Sequence, residues 1–374
     1  MRKEIKDLEY RLFTYQDVDR IPDVEFGYWP QTIKRWIDEG IEADIPEETR
    51  DHMFNSHLDR YFQFDGGGHR TAVNINCGIN PCFEEEIIER KERSTIIKTS
   101  DGVVSERFNE DAEESSIPRY ISAPVVTPDD WPDIKRRFSL DDPIRTQEQN
   151  DFTALRANIA DGMAVHLALV GFYGVMRNWM GVQNLSTAFY DYPAMLHDMV
   201  EHWAELIATQ VEALPPDITI DHVSWWEDMA GRNGPLVSPT TFREFFQPGY
   251  HRVMQAVKKH GCALAVVDCD GNPHDIVANW LEEDVNVMFP LEATDGVDLK
   301  AWRQEFGMQM RLKGGFSKAA LAKGGDAIDR EFDRLRPTFE EGGYIPHIDH
   351  LVPPDVSLKN YHQYLEKKRK FIAI

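Results

Sequence analysis

The stretch Val266-Val267-Asp268-Cys269-Asp270-Gly271-Asn272 ends an apolar run with two carboxylates one residue apart. Side chains alternate along a strand, so Asp268 and Asp270 share one face with Val266, and Cys269 turns the other way with Val267 and Ala265. Cys269 therefore reads as a small buried hydrophobe rather than a ligand. Two carboxylates on one face repel unless a cation, a proton or strong donors lie between them. Such a pair can hold a hard divalent cation through oxygen or work as an acid/base couple. Similar groups recur after other apolar runs: Glu227 and Asp228 after Trp225-Trp226, Glu292 after Pro290-Leu291, Lys313 before Gly314-Gly315, and His347, Asp349 and His350 near the end. Lys313 would either stabilise developing negative charge or pair with the surplus carboxylates. Asn272 adds a polar group, and Trp29, Tyr173, Trp225 and Trp226 could wall an apolar pocket or simply pack.

These groups matter together only if the fold brings them to one place. The second half of the chain alternates strand and helix signals. Helices are expected over 194–213, 238–260, 273–283, 298–306, 325–341 and 357–374, with Ser238-Pro239 as a cap and first-turn pair. Strands are expected over 218–223, 262–268, 285–289, 308–312 and 344–348. This spacing implies right-handed crossovers and a parallel sheet. Five such units in a row favour a single (β/α)8 TIM barrel spanning 1–374, with its chemistry at the C-terminal ends of the strands. The first half is less regular. Residues 20–28 read as a first strand, 31–39 as a helix and 163–170 as another strand. Between them lies a β-hairpin insertion around 84–120, in which 94–99 and 103–108 flank the turn Ser100-Asp101-Gly102.

The whole chain has 374 residues, 42% hydrophobic and 28% charged, which suits a globular protein with a large core. No apolar run approaches the roughly 20 residues of a membrane helix. The charged start, Met1-Arg2-Lys3-Glu4, gives no sign of a secretory leader, so a cytoplasmic location is expected. Acidic residues outnumber basic ones 64 to 41, a formal net charge of −23. That charge repels nucleic acid and anionic membrane surfaces, and weighs against a substrate bearing many carboxylates. Four cysteines make no disulfide framework, and Cys77 and Cys82 read as reduced thiols. A calcium EF-hand loop is excluded at Asp268: its glycine comes too early, and Asn279 stands where the closing glutamate should be. A phosphatase nucleophile of the haloacid dehalogenase type is disfavoured as well, because Asn272 replaces the expected threonine and only about 100 residues follow.

A longer pattern resembles the uroporphyrinogen decarboxylase superfamily. It comprises Trp226-Glu227-Asp228-Met229-Ala230-Gly231, Gly234-Pro235-Leu236-Val237-Ser238-Pro239, Gly314-Gly315-Phe316-Ser317-Lys318, and Gly342-Gly343-Tyr344-Ile345 followed by Asp349-His350 and Val352-Pro353. The resemblance implies a (β/α)8 barrel and two alternative chemistries. Its decarboxylases grip polycarboxylate tetrapyrroles with arginines in an N-terminal segment. Here the corresponding Gly27-Tyr28-Trp29-Pro30-Gln31-Thr32 has none before Arg35, leaving Arg177, Arg232 and Arg311 as candidates. Its corrinoid-linked methyltransferases carry His-x-Cys-Gly after this same strand and a late cysteine, which hold zinc. Placed by the glycine, this chain has Asp268 and Asp270 there, with His350 near the late cysteine. The resemblance thus implies a methyl group moved between a small methylated or methoxylated compound and a corrinoid protein. Asp268, Asp270, Glu227 and Lys313 would be catalytic. Trp29, Tyr173, Trp225, Asp228 and Asn272 would contact substrate, and Asp268, Asp270, Glu292 and His350 would hold zinc or a harder divalent metal. Decarboxylation of a porphyrinogen, or a non-catalytic subunit that binds a corrinoid protein, are the alternatives. An oligomer is compatible with all three.

Overall fold

The computed structural model describes residues 2–65, 70–109, 118–146 and 151–373. Its centre is a parallel sheet of seven strands, hydrogen-bonded in chain order: β1 (Arg70–Ala72), β2 (Ala164–Val170), β3 (His222–Trp226), β4 (Leu264–Asp268), β5 (Val287–Phe289), β6 (Arg311–Phe316) and β7 (Tyr344–Ile348). Helices follow the strands, as in a (β/α)8 barrel. One set of strand side chains faces these helices: Val223, Trp225, Ala265, Val267 and Leu312 are all buried apolar groups. The other set mixes polar residues with Trp226, Val266 and Phe289. His166 on β2 stacks on His222 of β3 at 4.7 Å and bonds Ser224 at 2.8 Å. Further round, the ring of Phe289 lies 5.5 Å from His347 and 5.7 Å from the Lys313 ammonium.

Several element ends are set by local chemistry. Ser238, Asp298 and Ser357 each cap a helix by accepting backbone N–H groups. The helix expected over 238–260 breaks at Phe246 into Pro239–Phe245 and Gln247–Lys259, with Pro248 opening the second. The strand expected over 218–223 begins only at His222. Before it, Ile220 and Asp221 hydrogen-bond His260 and Val165 in a bend.

Residues 20–28 are extended but form no ladder, only single bridges from Arg20 to Ala373 and from Tyr28 to Val352. The reason lies in side chains that take the ladder bonds. Lys368 donates to the Val24 carbonyl at 2.6 Å, and Glu25 accepts the Ile348 N–H at 3.2 Å.

The expected hairpin is the inner part of a four-stranded antiparallel sheet, Glu86–Arg90, Ser94–Lys98, Val104–Phe108 and Arg119–Ser122. Residues 110–117 of that insertion lie outside the described residues. All four cysteines are free. Among the described residues no helix is long and apolar enough to cross a membrane.

Candidate active site

Glu227 follows β3 and is completely buried. Its two oxygens accept the Phe172 N–H at 2.9 Å and the Gly174 N–H at 2.8 Å, and the Tyr250 hydroxyl donates to it as well. A carboxylate thus closes the start of the helix Phe172–Asp191. Only glycine fits at 171, because a Cβ there would overlap the Glu227 carboxyl. Burial pushes this carboxyl up to about 7, against the opposing pull of its donors. Trp225 is buried between Phe172 and Tyr250, at 5.8 and 4.9 Å. Tyr173 is also buried, edge-on to Phe246, its hydroxyl without a partner, and burial pushes it up to about 12. The expectation that Trp225 and Tyr173 wall the substrate pocket is therefore corrected: both pack against helix residues. Glu227 likewise has both oxygens committed to the scaffold.

The rim proper begins at Asp228. Its backbone is left-handed, with φ 45°. Arg177 holds it by the main-chain carbonyl at 3.0 Å and the carboxylate at 3.4 Å, while the guanidinium covers the Trp226 ring at 4.6 Å. Burial, then the neighbouring Asp270 charge, pushes Asp228 up. Asp268 ends β4 in register with Trp226 on one side and Phe289 on the other. Burial and the charges of Asp270 and Asp228 push its carboxyl well above the usual carboxylate range, against the opposing pull of Lys313. Asp270 lies 3.4 Å from His350 Nε2. The His350 ring stacks on Trp29 at 6.0 Å and meets Phe26 edge-on at 5.6 Å. Asn272 is a turn residue whose side chain accepts the His274 N–H at 3.3 Å.

Glu292 does not join Asp268 and Asp270. One of its oxygens accepts the Gly271 N–H at 2.8 Å and the other takes the Lys318 ammonium. Cys269 is buried on the helix side, and burial pushes its thiol up, far from the thiolate a metal needs. Among the described residues no three His, Cys, Asp or Glu side chains gather where one ion could bind. The expected four-residue metal set is corrected on those grounds: as placed, these donors do not fit a zinc centre.

Lys313 stands on β6, one residue beyond the Leu312 that pairs with Met288. Among the described residues its ammonium has no carboxylate within ion-pair distance and rests against the Phe289 ring. Burial pushes it down to about 8, with Arg70 adding to the effect and Glu9 and Asp268 opposing it. His347 is fully buried. Its Nδ1 lies 2.7 Å from the Ile348 carbonyl, which makes it the protonated nitrogen, and Nε2 has no partner. Burial keeps the ring neutral. Asp349 accepts the Lys318 N–H at 2.9 Å and is pushed up to about 6 by burial. Phe26, Phe289 and Lys318 were not anticipated. Phe26 and Lys318 lie outside the strand ends and carry no local signal of where they fold back, and Phe289, though it ends β5, carries no polar group to mark it.

The arginines do not form an anion clamp. Arg177 is engaged as above, Arg232 is exposed and reaches the Thr294 carbonyl at 3.3 Å, and Arg311 opens β6 at the opposite end of the barrel, bonded to the Phe13 and Gln309 carbonyls at 2.8 and 2.7 Å.

The sequence model of the family described as uroporphyrinogen decarboxylase (URO-D) matches residues 111–371, more than half of the chain. This chain belongs to the uroporphyrinogen decarboxylase family. A solved structure of a methyltransferase from Methanosarcina mazei is similar over 98% of both chains, with a TM-score of 0.56 and 14% sequence identity, a likeness of fold. No curated protein matches the chain. Within the uroporphyrinogen decarboxylase fold, then, Phe289 stands in register with Asp268 and beside both the Lys313 ammonium and the His347 ring. A general acid beside a positive charge is suited to reactions that release an oxygen anion.

Proposed function

We propose that this family member is a methyltransferase that removes a methyl group from a small methylated or methoxylated compound and passes it to a corrinoid protein. The observation that supports this most is Asp268 at the end of β4, in register with Phe289, its carboxyl pushed upward by burial and by Asp270 and Asp228, in a mouth where Arg177 is held by Asp228. The fold it shares with a methyltransferase is in keeping with the reading. When its protein is docked, the corrinoid would supply the centre that accepts the methyl group. This chain's residues do the rest. The leaving oxygen of the substrate lies between Asp268 and Lys313. As the carbon–oxygen bond breaks, the Asp268 carboxyl gives its proton to that oxygen, and the Lys313 ammonium stabilises the charge that has built up. Such general acid help contributes typically ~10² to 10⁴ in rate. Phe26 and Phe289 keep water from the oxygen. The test is to mix the protein with a reduced corrinoid protein and a methoxylated aromatic compound, and to follow the phenol released. Phenol formation is expected. No phenol, together with loss of carboxyl groups from uroporphyrinogen, would overturn the reading in favour of decarboxylation.

A further inference from the structure

We infer that Lys313 forms an imine with a small aldehyde or ketone that enters the barrel mouth. This activity goes beyond methyl transfer and does not depend on it. A lysine inside a protein is ordinarily met by a carboxylate. Lys313 has none within ion-pair distance among the described residues, although the chain carries 64 acidic residues against 41 basic ones. The ammonium instead lies over the Phe289 ring at 5.7 Å, and it feels the charges of Arg70, Glu9 and Asp268 without pairing with either carboxylate. An amine with no counter-ion beside it gives up its proton more easily, and the neutral amine is a nucleophile. Lys313 is brought down to about 8 by burial and by Arg70, against Glu9 and Asp268.

The step balances with groups on the page. The Nζ lone pair adds to the carbonyl carbon, the carbon–oxygen π pair moves to oxygen, and a proton passes from nitrogen to that oxygen. The carbinolamine then loses its hydroxyl as water, taking the proton of the Asp268 carboxyl. The products are an iminium on Lys313, a carboxylate on Asp268 and one water. One positive and one negative charge appear together, so the step leaves the net charge of the barrel interior unchanged. The ring of Phe289, between Asp268 and Lys313 in register, gives the carbonyl substituent an apolar wall.

The probe is 2,4-pentanedione, which condenses with a neutral lysine amine to an enaminone that absorbs in the near ultraviolet. At pH 7 it is expected to label Lys313 at least tenfold faster than the exposed Lys300 and Lys323 of the same sample, read by peptide mass. Comparison within one folded sample needs no variant. Lys313→Met should abolish the stoichiometric absorbance, and Asp268→Asn should slow labelling at Lys313 several-fold. Labelling of Lys313 no faster than of Lys300 and Lys323 sinks the inference. Labelling unchanged in Asp268→Asn removes that carboxyl from the step. Neither result bears on phenol release, so the two readings fail separately.

Discussion

Asp268 and Lys313 carry opposite tendencies from one cause. Burial holds a proton on the carboxyl and loosens one from the ammonium. The proposed methyl transfer needs both groups protonated. Turnover should therefore fall as pH rises through about 8, where Lys313 loses its charge. Lys313→Met should lower kcat and remove that alkaline limb, which a pH profile of phenol release would show; a limb that survives the substitution assigns it to another group. Asp268→Asn should lower kcat by roughly 10² or more, since the general acid is gone. Glu227 makes a prediction about stability instead. Its folded carboxyl sits at about 7, above its ordinary 4.5, so the folded state holds the proton more tightly. That stabilisation is complete below about 4.5 and is lost as pH climbs to about 7. At ~1.4 kcal/mol per pH unit it amounts to at most ~3 kcal/mol. Glu227→Gln should flatten this slope in urea unfolding at pH 5 and pH 8. An unchanged slope would place the titration elsewhere.

At the scale of elements, the most exposed dependence on side chains is the extended 20–28 segment. Lys368 is fully buried, 2.6 Å from Glu25 and 3.0 Å from Asp23, and Tyr364 also donates to Glu25 at 2.7 Å. Lys368→Met leaves the buried Glu25 without its cation and Asp23 with Arg369 alone, and should cost about 3–5 kcal/mol in urea unfolding. Lys370→Met, which breaks only the exposed pair with Glu366, should cost less than about 1 kcal/mol. Equal losses would mean the buried cluster does not hold the segment. This is also where sequence reading fell short. Helices with a Ser or Asp cap, and the strand Tyr344–Ile348, could be read because their signals are local. The 20–28 segment could not, because its hydrogen bonds go to side chains and loops elsewhere, some of them more than 300 positions away. Trp225 was misjudged for a related reason. With β3 placed four residues early, the alternation that turns Trp225 outward and Trp226 inward had no anchor. Asp268 ends β4 and Asp270 lies beyond it, close enough for its charge to act on Asp268. Glu292 escaped because Lys318, which claims it, follows a different strand. Gly314 shows the same coupling between strand ends: its φ is +110° and a Cβ would overlap the Pro290 carbonyl oxygen, so the β5 loop presses directly on the residue beside Lys313.

The molecule as a whole decides which substrates reach that mouth. A formal charge of −23 surrounds a rim where Asp228 and Asp270 stand beside Asp268. Long-range repulsion of this kind slows the arrival of polyanions and is screened by salt, with a Debye length of about 10 Å at 0.1 M. On arrival a polycarboxylate would need planar, bidentate donors. The rim offers Arg177 only by breaking its hold on Asp228, and Arg311 points to the other end of the barrel. A neutral methoxylated compound meets neither obstacle. Uroporphyrinogen should therefore neither lose carboxyl groups nor compete with a methoxylated substrate at low salt, and added salt should give at most weak competition. Arg177→Gln would release Asp228 into the mouth and make the rim more acidic, so it should reduce any residual tetrapyrrole binding further. Titration of the tetrapyrrole against turnover, at two salt concentrations, checks both. Tight competition at low salt would mean that a cationic surface is reached some other way, and that this barrel was built to receive many carboxylates after all.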